Sequence, residues 1–226
     1  LHANLAVKAL RARKHVVVES PPALDAKGMR AMLRAAETAL EKSGSILLPA
    51  FPRHHGPHES AARQAVQKGY IGQPLHARAT WLRPGGIPQG ARSATDPTGW
   101  YTDPNRSGGG ALLDLGLPSL EVAWSLLGWP KPLTATAVLG KSLAKLAVEE
   151  SATALLRFEG GVSLELSVAW VSHLPPSQHG VTCRVSGTAG SLDVYTPDGA
   201  VLYRGVPAKP KPTALKGPKL PHDAAL

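Results

Sequence analysis

Residues 99–130 read GWYTDPNRSGGGALLDLGLPSLEVAWSLLGWP, and this stretch says more about the fold and the candidate site than any other. Three consecutive glycines, Gly108–Gly110, lead into an apolar segment that carries Asp114 and ends at Gly128 and Pro130. Glycine has no Cβ, so it permits positive φ and close approach of the backbone, and such runs commonly shape the wall of a ligand pocket. The stretch therefore predicts a pocket wall followed by one long helix.

The composition is that of a soluble globular protein. The 226 residues are 43% hydrophobic and 18% charged, which suits one substantial domain or two small ones. No apolar run approaches the roughly 20 residues that a bilayer-spanning helix needs, so we expect no membrane span. The first residues lack an apolar core followed by a cleavage site, so we expect no secretory signal. The single cysteine, Cys183, excludes an internal disulfide and fits a cytoplasmic location, where we expect it to be a buried, inert thiol.

The net charge of +9 raises the question of a nucleic-acid partner. The basic residues are scattered over helices and loops, and the last cluster, between Lys209 and Lys219, is interleaved with prolines. Neither a recognition helix nor an aromatic stacking platform is visible. We therefore expect no nucleic-acid and no membrane partner. Attraction of an anionic cofactor or substrate and a solvated basic surface both remain sufficient uses of the charge.

The first third of the chain alternates helices with short apolar strands. The predicted elements are a helix over 3–12, a strand over 15–19, a helix capped by Asp25 that runs to Lys42, a strand over 45–48 and a helix over 57–68. In the second helix Leu33, Ala36 and Leu40 share one face, and Gly44 ends it. This alternation is typical of βαβ units with a parallel sheet.

After Gly72 the pattern changes to strands. Those predicted are 75–83, 133–141, 151–158, 162–172, 182–186, 191–195 and 200–203. Within the fourth, Val162, Leu164, Leu166 and Val168 fall on one face and polar residues on the other, as in an antiparallel sheet with one buried side. The sequence thus predicts an α/β part over 1–73 and an α+β part over 74–226. The Pro/Lys-rich residues 206–221 are expected to be loosely ordered.

Six blocks in sequence order resemble the Gfo/Idh/MocA family of NAD(P)-dependent oxidoreductases, which includes glucose-fructose oxidoreductase and inositol dehydrogenase. They are LHANLAVKALRARKHVVVESP, LEKSGSILLPAFPRHHGP, QKGYIGQPLHARA, SGGGALLDLGLPSLEVAWSLLG, VEESATALLRFEGGVSLELSVAW and SGTAGSLDVY. The resemblance implies a Rossmann domain followed by a large open, mostly antiparallel sheet domain that often mediates oligomers, with the substrate site between them. It further implies NAD or NADP as cofactor, a sugar or polyol as small-molecule substrate, and a homo-oligomer formed through the open sheet.

The chain departs from this family at its beginning. No G-x-G-x-x-G turn for a cofactor pyrophosphate occurs in these residues, nor the acid that would hold the ribose. Leu1 and His2 match the loop after the family's fourth strand. Residues 1–73 are therefore expected to be the later part of an incomplete Rossmann domain, in a fragment of a longer protein.

A second departure concerns the chemistry. The family's strand usually ends in Glu-Lys-Pro, and the matching residues are Glu19, Ser20 and Pro21. The family's helix usually reads Asp-x-Gly-x-His, and the matching positions are occupied by Asp114 and, where the histidine stands, Pro118. Proline cannot carry a proton, and serine without an activating partner is a poor base. The family's usual mechanism therefore cannot operate unchanged.

Several side chains are candidates for the missing proton transfer. They are His54 or His55, Tyr101 and Asp103 in the loop before the glycines, and Asp114 itself. Histidine titrates near neutral pH and suits the role if it points into the cleft. Solvated loop histidines are the competing interpretation. For Asp114, a structural role in binding backbone amides competes with substrate contact.

Four residues are candidate cofactor contacts through the resemblance: Glu19 and Pro21 at the strand end, Arg53 and Trp100. Arg53 matches an arginine at the pocket margin that can bind phosphate or substrate, with a surface salt bridge as the alternative. Trp100 would cover the cofactor or sugar, or pack in the core. The histidines of FPRHHGPH lack the further ligands of usual metal sites, so we expect no metal.

Three functions remain open at this point. The first is an NAD(P)-dependent oxidoreductase acting on a sugar, polyol or similar molecule. The second is a non-catalytic homologue that serves as a binding or scaffold subunit, which the replaced lysine and histidine motivate. The third, a non-redox reaction such as elimination, has no residue that argues for it over the others.

Overall fold

Two sheets of very different size organise the chain: a parallel pair of strands and an eight-stranded, mostly antiparallel sheet. The computed structural model describes residues 1–85, 99–141, 146–175, 180–206 and 208–217. None of the helices in these ranges is both long and apolar enough to cross a membrane. The predicted fold class, α/β followed by α+β with a large open sheet, is confirmed. The division into two domains at residue 73 stays a prediction.

The parallel sheet is built from the first four elements. They are α1 (His2–Arg11), β1 (Val16–Glu19), α2 (Ala26–Ser43) and β2 (Leu47–Ala50). Asp25 caps α2 by accepting a hydrogen bond from the Gly28 amide at 2.7 Å, and Gly44 ends the helix with a φ of 68°. Both ends of α2 were predicted from these residues, and β1 pairs with β2 in parallel as the alternation indicated.

The predicted apolar face of α2 exists but is not the buried one. Leu33 is exposed and Leu40 is 56% exposed, whereas Met32 and Ala39 are buried. α1 packs against the side of α2 that carries Met32 and Ala39, so these residues form the small core together with Leu10 and the valines of β1. The sequence places Leu33, Ala36 and Leu40 on one side of the helix, and the position of α1 determines that a neighbouring side is the buried one.

The rest of the chain forms the large sheet and the helices that cover it. Its helices are a 3₁₀ turn (Pro52–His55), α3 (Pro57–Gln67), a 3₁₀ turn (Trp100–Thr102), α4 (Pro104–Ser107), a π-helical turn (Leu112–Gly116), α5 (Leu117–Leu126) and a 3₁₀ turn (Glu159–Gly161). Its strands are β3 (Pro74–Leu82), β4 (Pro132–Gly140), β5 (Ser151–Phe158), β6 (Ser163–Ala169), β7 (Gly180–Gly187), β8 (Gly190–Thr196), β9 (Gly199–Arg204) and β10 (Lys211–Leu215).

The strand order is β10-β9-β8-β7-β3-β6-β5-β4, and every neighbouring pair is antiparallel except β3 and β6. α3, α5 and the π-helical turn cover one face. Leu164, Leu166 and Val168 of β6 are buried beneath them, as the alternation predicted. The other face is open and carries polar pairs such as Arg78 with Glu165, at 2.5 Å, in register on β3 and β6. The sheet thus has the one buried and one exposed side that the sequence indicated.

The expectation that residues 206–221 are loosely ordered is wrong for part of the segment. Lys211–Leu215 form β10, which pairs antiparallel with β9 and places Pro212 opposite Tyr203. β10 is an edge strand, and an edge strand tolerates proline because one of its sides needs no hydrogen bonds. Residues 207 and 218–221 lie outside the described residues.

The long helix predicted after the three glycines contains a π-helical turn. A π-helical turn occupies Leu112–Gly116, and α5 begins at Leu117. Pro118 has no amide hydrogen to bond to the carbonyl of Asp114, so the α-helical bonding pattern is interrupted before it, while the backbone stays helical through Gly116 and Leu117. The α5 helix is nonetheless well packed, with Val122, Ala123 and Leu126 buried against the sheet.

The single cysteine is part of the core of the large sheet. Cys183 lies on β7 and is 1% exposed. Burial, with smaller contributions from Asp193 and Glu59, raises the pKa of its thiol to about 12. The thiol is therefore protonated and inaccessible in the folded protein, as expected from the sequence.

Candidate active site

A cavity of about 330 Å³ lies where β1 and β2 end and meet the large sheet. Both strands are parallel, so their carboxyl ends open on the same side, where ligands bind in open α/β sheets. The side chains that matter for its chemistry are Glu19 and Ser20 after β1, Arg53 after β2, Trp81 on β3, and Pro118 and Glu121 on α5. The peptide bond between Ser20 and Pro21 is cis.

Ser20 and Pro118 line this cavity together. They come from different elements, the end of β1 and the first turn of α5, and only the fold brings them together. These are the positions at which the family resemblance places lysine and histidine. Neither residue offers a group that exchanges protons readily near neutral pH, so their presence leaves the cavity wall without the expected acid or base.

Arg53 brings positive charge to the cavity margin. Its guanidinium carbon lies 4.5 Å from the ring centroid of Trp81 and 5.6 Å from that of Tyr195. The Tyr195 hydroxyl donates a hydrogen bond to buried Glu59 at 2.5 Å, and its pKa is raised by burial and by this bond. Among the described residues Arg53 forms no ion pair, so aromatic rings rather than a salt bridge hold it beside the cavity.

His54 is hydrogen-bonded to Glu121, a residue that the sequence reasoning missed. The His54 Nδ1 donates to Oε1 of Glu121, whose side chain is 9% exposed, while that of His54 is 31% exposed. The other carboxylate oxygen, Oε2, is buried and has no hydrogen-bond partner in the described parts of the chain. Glu121 is the only charged side chain between Leu115 and Trp129, and an acid within so apolar a helix was the available signal.

Glu121 also lines a second, mainly apolar cavity of about 370 Å³. His54, Leu120 and Trp124 contribute to its wall, together with the end of β2. One carboxylate therefore borders both cavities. The imidazole of His54 borders only the second.

Asp114 does not bind the backbone amides that the sequence analysis favoured. Its carboxylate accepts hydrogen bonds from the Tyr101 hydroxyl at 2.6 Å, the Trp170 indole at 2.7 Å and the Arg83 guanidinium at 3.2 Å. Burial, and next the bond to Asp114, raises the pKa of Tyr101, so its phenol stays neutral. Asp114 does not line the cavity at Ser20, and its contacts are those of a residue that fixes the surrounding side chains.

The amides after the glycines are bound by Glu149 instead. Oε1 of this buried carboxylate accepts hydrogen bonds from the amides of Gly110 at 2.8 Å and Leu112 at 2.9 Å. Gly110 is required here because a Cβ would overlap the Glu149 carbonyl oxygen. Sequence reasoning missed Glu149, since a contact between residues this far apart in the chain leaves no local signal.

The remaining predicted residues lie outside the cavity. Trp100 is 43% exposed and packs edge-on against Tyr101, with ring centroids 4.8 Å apart. Asp103 caps α4 by accepting from the Asn105 amide at 2.9 Å. The Pro21 carbonyl accepts from the His2 ring nitrogen at 3.0 Å. Across the described ranges, no three His, Cys, Asp or Glu side chains are grouped so that they could hold a metal ion.

Comparison with known proteins identifies the family. Residues 60–193 match the model of the GFO/IDH/MocA C-terminal domain. The 1,5-anhydro-D-fructose reductase of Ensifer adhaerens is 28% identical over 196 residues, which are 85% of this chain and 53% of that protein. The dTDP-3,4-didehydro-2,6-dideoxy-alpha-D-glucose 3-reductase of Saccharopolyspora spinosa is 32% identical over 177 residues, 76% of this chain and 47% of that protein.

The chain thus spans about half the length of the curated relatives it matches. Among solved structures, levoglucosan dehydrogenase in complex with NADH and levoglucosan has the same fold, with a TM-score of 0.79 at 22% identity over 96% of this chain and 58% of that one. The family match covers more than half of the chain and agrees with the fold. The chain belongs to the Gfo/Idh/MocA family.

Proposed function

We propose that this chain forms the substrate-facing part of an NAD(P)-dependent oxidoreductase that acts on a sugar, polyol or related hydroxylated small molecule. The observation that carries the proposal is the convergence of Ser20, Arg53 and Pro118 on one cavity at the carboxyl ends of two parallel strands. Glu121 lines the same cavity, and its buried Oε2, which lacks a partner among the described residues, would accept a hydrogen bond from a ligand hydroxyl that displaces the groups around it.

The cavity suits one end of a nicotinamide dinucleotide. When bound, such a cofactor accepts or donates the hydride, and the protein supplies orientation and proton transfer. Glu19 and Pro21 flank Ser20 at the strand end, and Arg53 offers positive charge to a phosphate or an anionic ligand. A pyrophosphate-binding glycine turn is not part of these 226 residues. Trp100, which lies outside the cavity, stays a prediction as a cofactor contact.

The predicted catalytic residues differ in where they lie relative to the cavity. Ser20 borders the cavity, and its hydroxyl can orient a ligand hydroxyl by hydrogen bonding. Asp114 holds Tyr101, Trp170 and Arg83 in place, so we propose that it is a positioning residue. His54 remains the imidazole best placed to carry a proton, because its partner Glu121 borders the cavity.

We further propose that the protein is a cytoplasmic homo-oligomer that associates through the open face of the large sheet. Val138 on β4 is 74% exposed and Leu155 on the neighbouring β5 is also exposed. Apolar side chains grouped on an open sheet favour contact with another protein surface. Sedimentation equilibrium of the wild-type protein and of Val138→Lys would measure this association. We expect a smaller average mass for the variant than for the wild-type protein, and equal masses of the two proteins at all concentrations would contradict the proposal.

The proposed oxidoreductase function is tested by cofactor binding. The protein expressed from its complete open reading frame is titrated with NADH and with NADPH, and binding is followed by fluorescence and calorimetry. We expect saturable binding of at least one dinucleotide, weakened in Arg53→Ala and unchanged in the exposed control Arg30→Ala. Failure to bind either dinucleotide would contradict the proposal.

A second candidate, a non-catalytic homologue that serves as a binding or scaffold subunit, is favoured by Ser20 and Pro118. The double variant Ser20→Lys with Pro118→His restores the family's usual side chains. Turnover that appears only in this variant would support the scaffold function. Turnover of sugars by the unaltered protein would exclude it.

A further inference from the structure

We infer that Glu121 is the proton acceptor of the cavity and that His54 passes the proton on toward solvent. The inference rests on the proposed oxidoreductase function and supplies the acid–base group that Ser20 and Pro118 do not provide. Glu121 lies one helical turn after Pro118 on α5, so both side chains reach the same cavity wall.

The two carboxylate oxygens of Glu121 have different surroundings. Oε1 accepts the hydrogen bond from His54, whereas Oε2 is buried without a partner in the described parts of the chain. A buried carboxylate oxygen that is left unpaired is costly, and each such atom in a folded protein calls for an explanation. The Glu121 side chain lines the cavity, so a ligand hydroxyl that displaces the groups closing over Oε2 would supply the missing donor.

The position of Glu121 between two cavities gives the proton a path. The carboxylate borders the cavity that contains Ser20 and also the apolar cavity beside it, and His54 lines the second. The His54 side chain is 31% exposed, so its ring connects the buried carboxylate with the surface. Histidine is suited to such a transfer because it binds and releases protons near neutral pH.

The reaction that Glu121 would assist is the oxidation of an alcohol. The oxygen–hydrogen bond of the ligand hydroxyl breaks, and its proton binds Oε2 of Glu121. The electron pair of the adjacent carbon–hydrogen bond leaves as hydride to an oxidised nicotinamide cofactor, so the alcohol becomes a carbonyl as the cofactor is reduced. The Glu121 carboxyl then returns its proton through His54, and the reverse sequence serves carbonyl reduction.

A purely structural role for the hydrogen bond between His54 and Glu121 accounts for fewer of these observations. The 3₁₀ turn that carries His54 is already fixed by Arg63, which donates to the His54 carbonyl, and by the bond from the Gly56 amide to the Arg53 carbonyl at 3.0 Å. The turn therefore has anchors that do not involve the imidazole. A structural pair would also leave the unpartnered Oε2 at the cavity unexplained.

The test compares the wild-type protein with Glu121→Gln, Glu121→Asp and His54→Asn, each in the complete gene product. The matched control is His15→Asn, which removes an exposed imidazole just before β1, at the end of that strand opposite the cavity. NADH titration measures cofactor binding, and oxidation of levoglucosan, D-glucose, 1,5-anhydro-D-glucitol and myo-inositol with NAD⁺ or NADP⁺ measures kcat. The ¹⁵N resonances of histidine-labelled protein report the hydrogen bond to His54 Nδ1 without any turnover.

We expect Glu121→Gln to lower kcat by about 100-fold or more, the usual contribution of a positioned general base, with NADH binding unchanged. Glu121→Asp should recover part of the loss, His54→Asn should show a smaller loss, and His15→Asn should match the wild type. The His54 Nδ1 resonance should move in Glu121→Gln.

Three results would overturn the inference: a kcat within threefold of wild type in Glu121→Gln, an unmoved His54 resonance in that variant, or turnover that appears only after Ser20→Lys and Pro118→His restore the usual side chains. Failure of the wild-type protein to bind either NADH or NADPH would instead refute the oxidoreductase function, so the two failures are distinguishable.

Discussion

The parallel sheet and the large sheet differ in how far they bury their own apolar side chains. In the large sheet, α3, α5 and the π-helical turn close one face over a continuous core that includes Leu164 and Trp170. In the parallel sheet the core is small, and Val17 remains 71% exposed on β1 while Leu40 is exposed on α2. Because the cavity lies where these regions meet, one of its walls is stabilised by extensive burial and the other by little.

The largest effect is expected where the glycine run meets the core of the large sheet. Gly110→Ala should lower the free energy of unfolding by about 4 kcal/mol, because the new Cβ overlaps the Glu149 carbonyl and displaces the amides that its carboxylate binds. Urea unfolding followed by circular dichroism measures the change.

Gly85→Ala is the matched control for this substitution, since no atom of the described residues lies within 4 Å of its added Cβ. We expect its stability to remain within about 0.5 kcal/mol of wild type. Equal effects of the two substitutions would mean that the glycine run is not packed against Glu149.

Removing one leucine from each region sharpens the comparison. Leu164→Ala in the large sheet should cost about 3 kcal/mol, because Leu164 is fully buried and its removal leaves a cavity. Leu40→Ala on α2 should change stability by less than about 0.5 kcal/mol, because Leu40 is exposed and alanine favours helices. Thermal and urea unfolding measure the stability of both variants. Similar losses of stability in the two would show that Leu40 is buried in solution and would contradict the comparison.

A smaller effect is expected at Asp114, where the glycine segment is tied to the sheet. Asp114→Asn should cost about 2 kcal/mol, because three side chains donate to this carboxylate. It should also lower the raised pKa of Tyr101, since the negative charge that opposes phenolate formation is lost.

The contribution of the Tyr101 phenol to folding stability depends on pH in a defined direction. A raised phenol pKa stabilises the fold below the unfolded value of about 10 and loses this contribution as the pH rises further. The phenolate absorbance of Tyr101, isolated by subtracting a Tyr101→Phe variant, should therefore appear at lower pH in Asp114→Asn. Identical titrations in both proteins would refute the role assigned to Asp114.

Local chemistry carried most of the fold prediction. The cap at Asp25, the left-handed Gly44 and the alternation in β6 are decided by neighbouring residues, and each was predicted from the sequence. β10 was missed because its prolines are unfavourable for a strand, and its pairing with β9 cannot be seen from the local sequence. The buried side of α2 was not predicted, because the position of α1 determines it.

The site was predictable only in part. Ser20, Pro118 and Arg53 were chosen through the resemblance, and they share one cavity. Glu121 and Glu149 were missed because their partners are distant in the chain, and a carboxylate in an apolar segment does not reveal what it contacts. For Asp114 the sequence suggested buried bonding but not the side chains that provide it.

The most direct test of the shared cavity is a cross-link between its two walls. In the double variant Ser20→Cys with Pro118→Cys, a short bis-maleimide should join the two thiols rapidly in the folded protein and slowly in urea, while each single variant forms no internal link. Cys183 is buried with a raised pKa, so it should not compete. Cross-linking in the folded protein that is no faster than in urea would contradict the account, since it would separate the end of β1 from the start of α5.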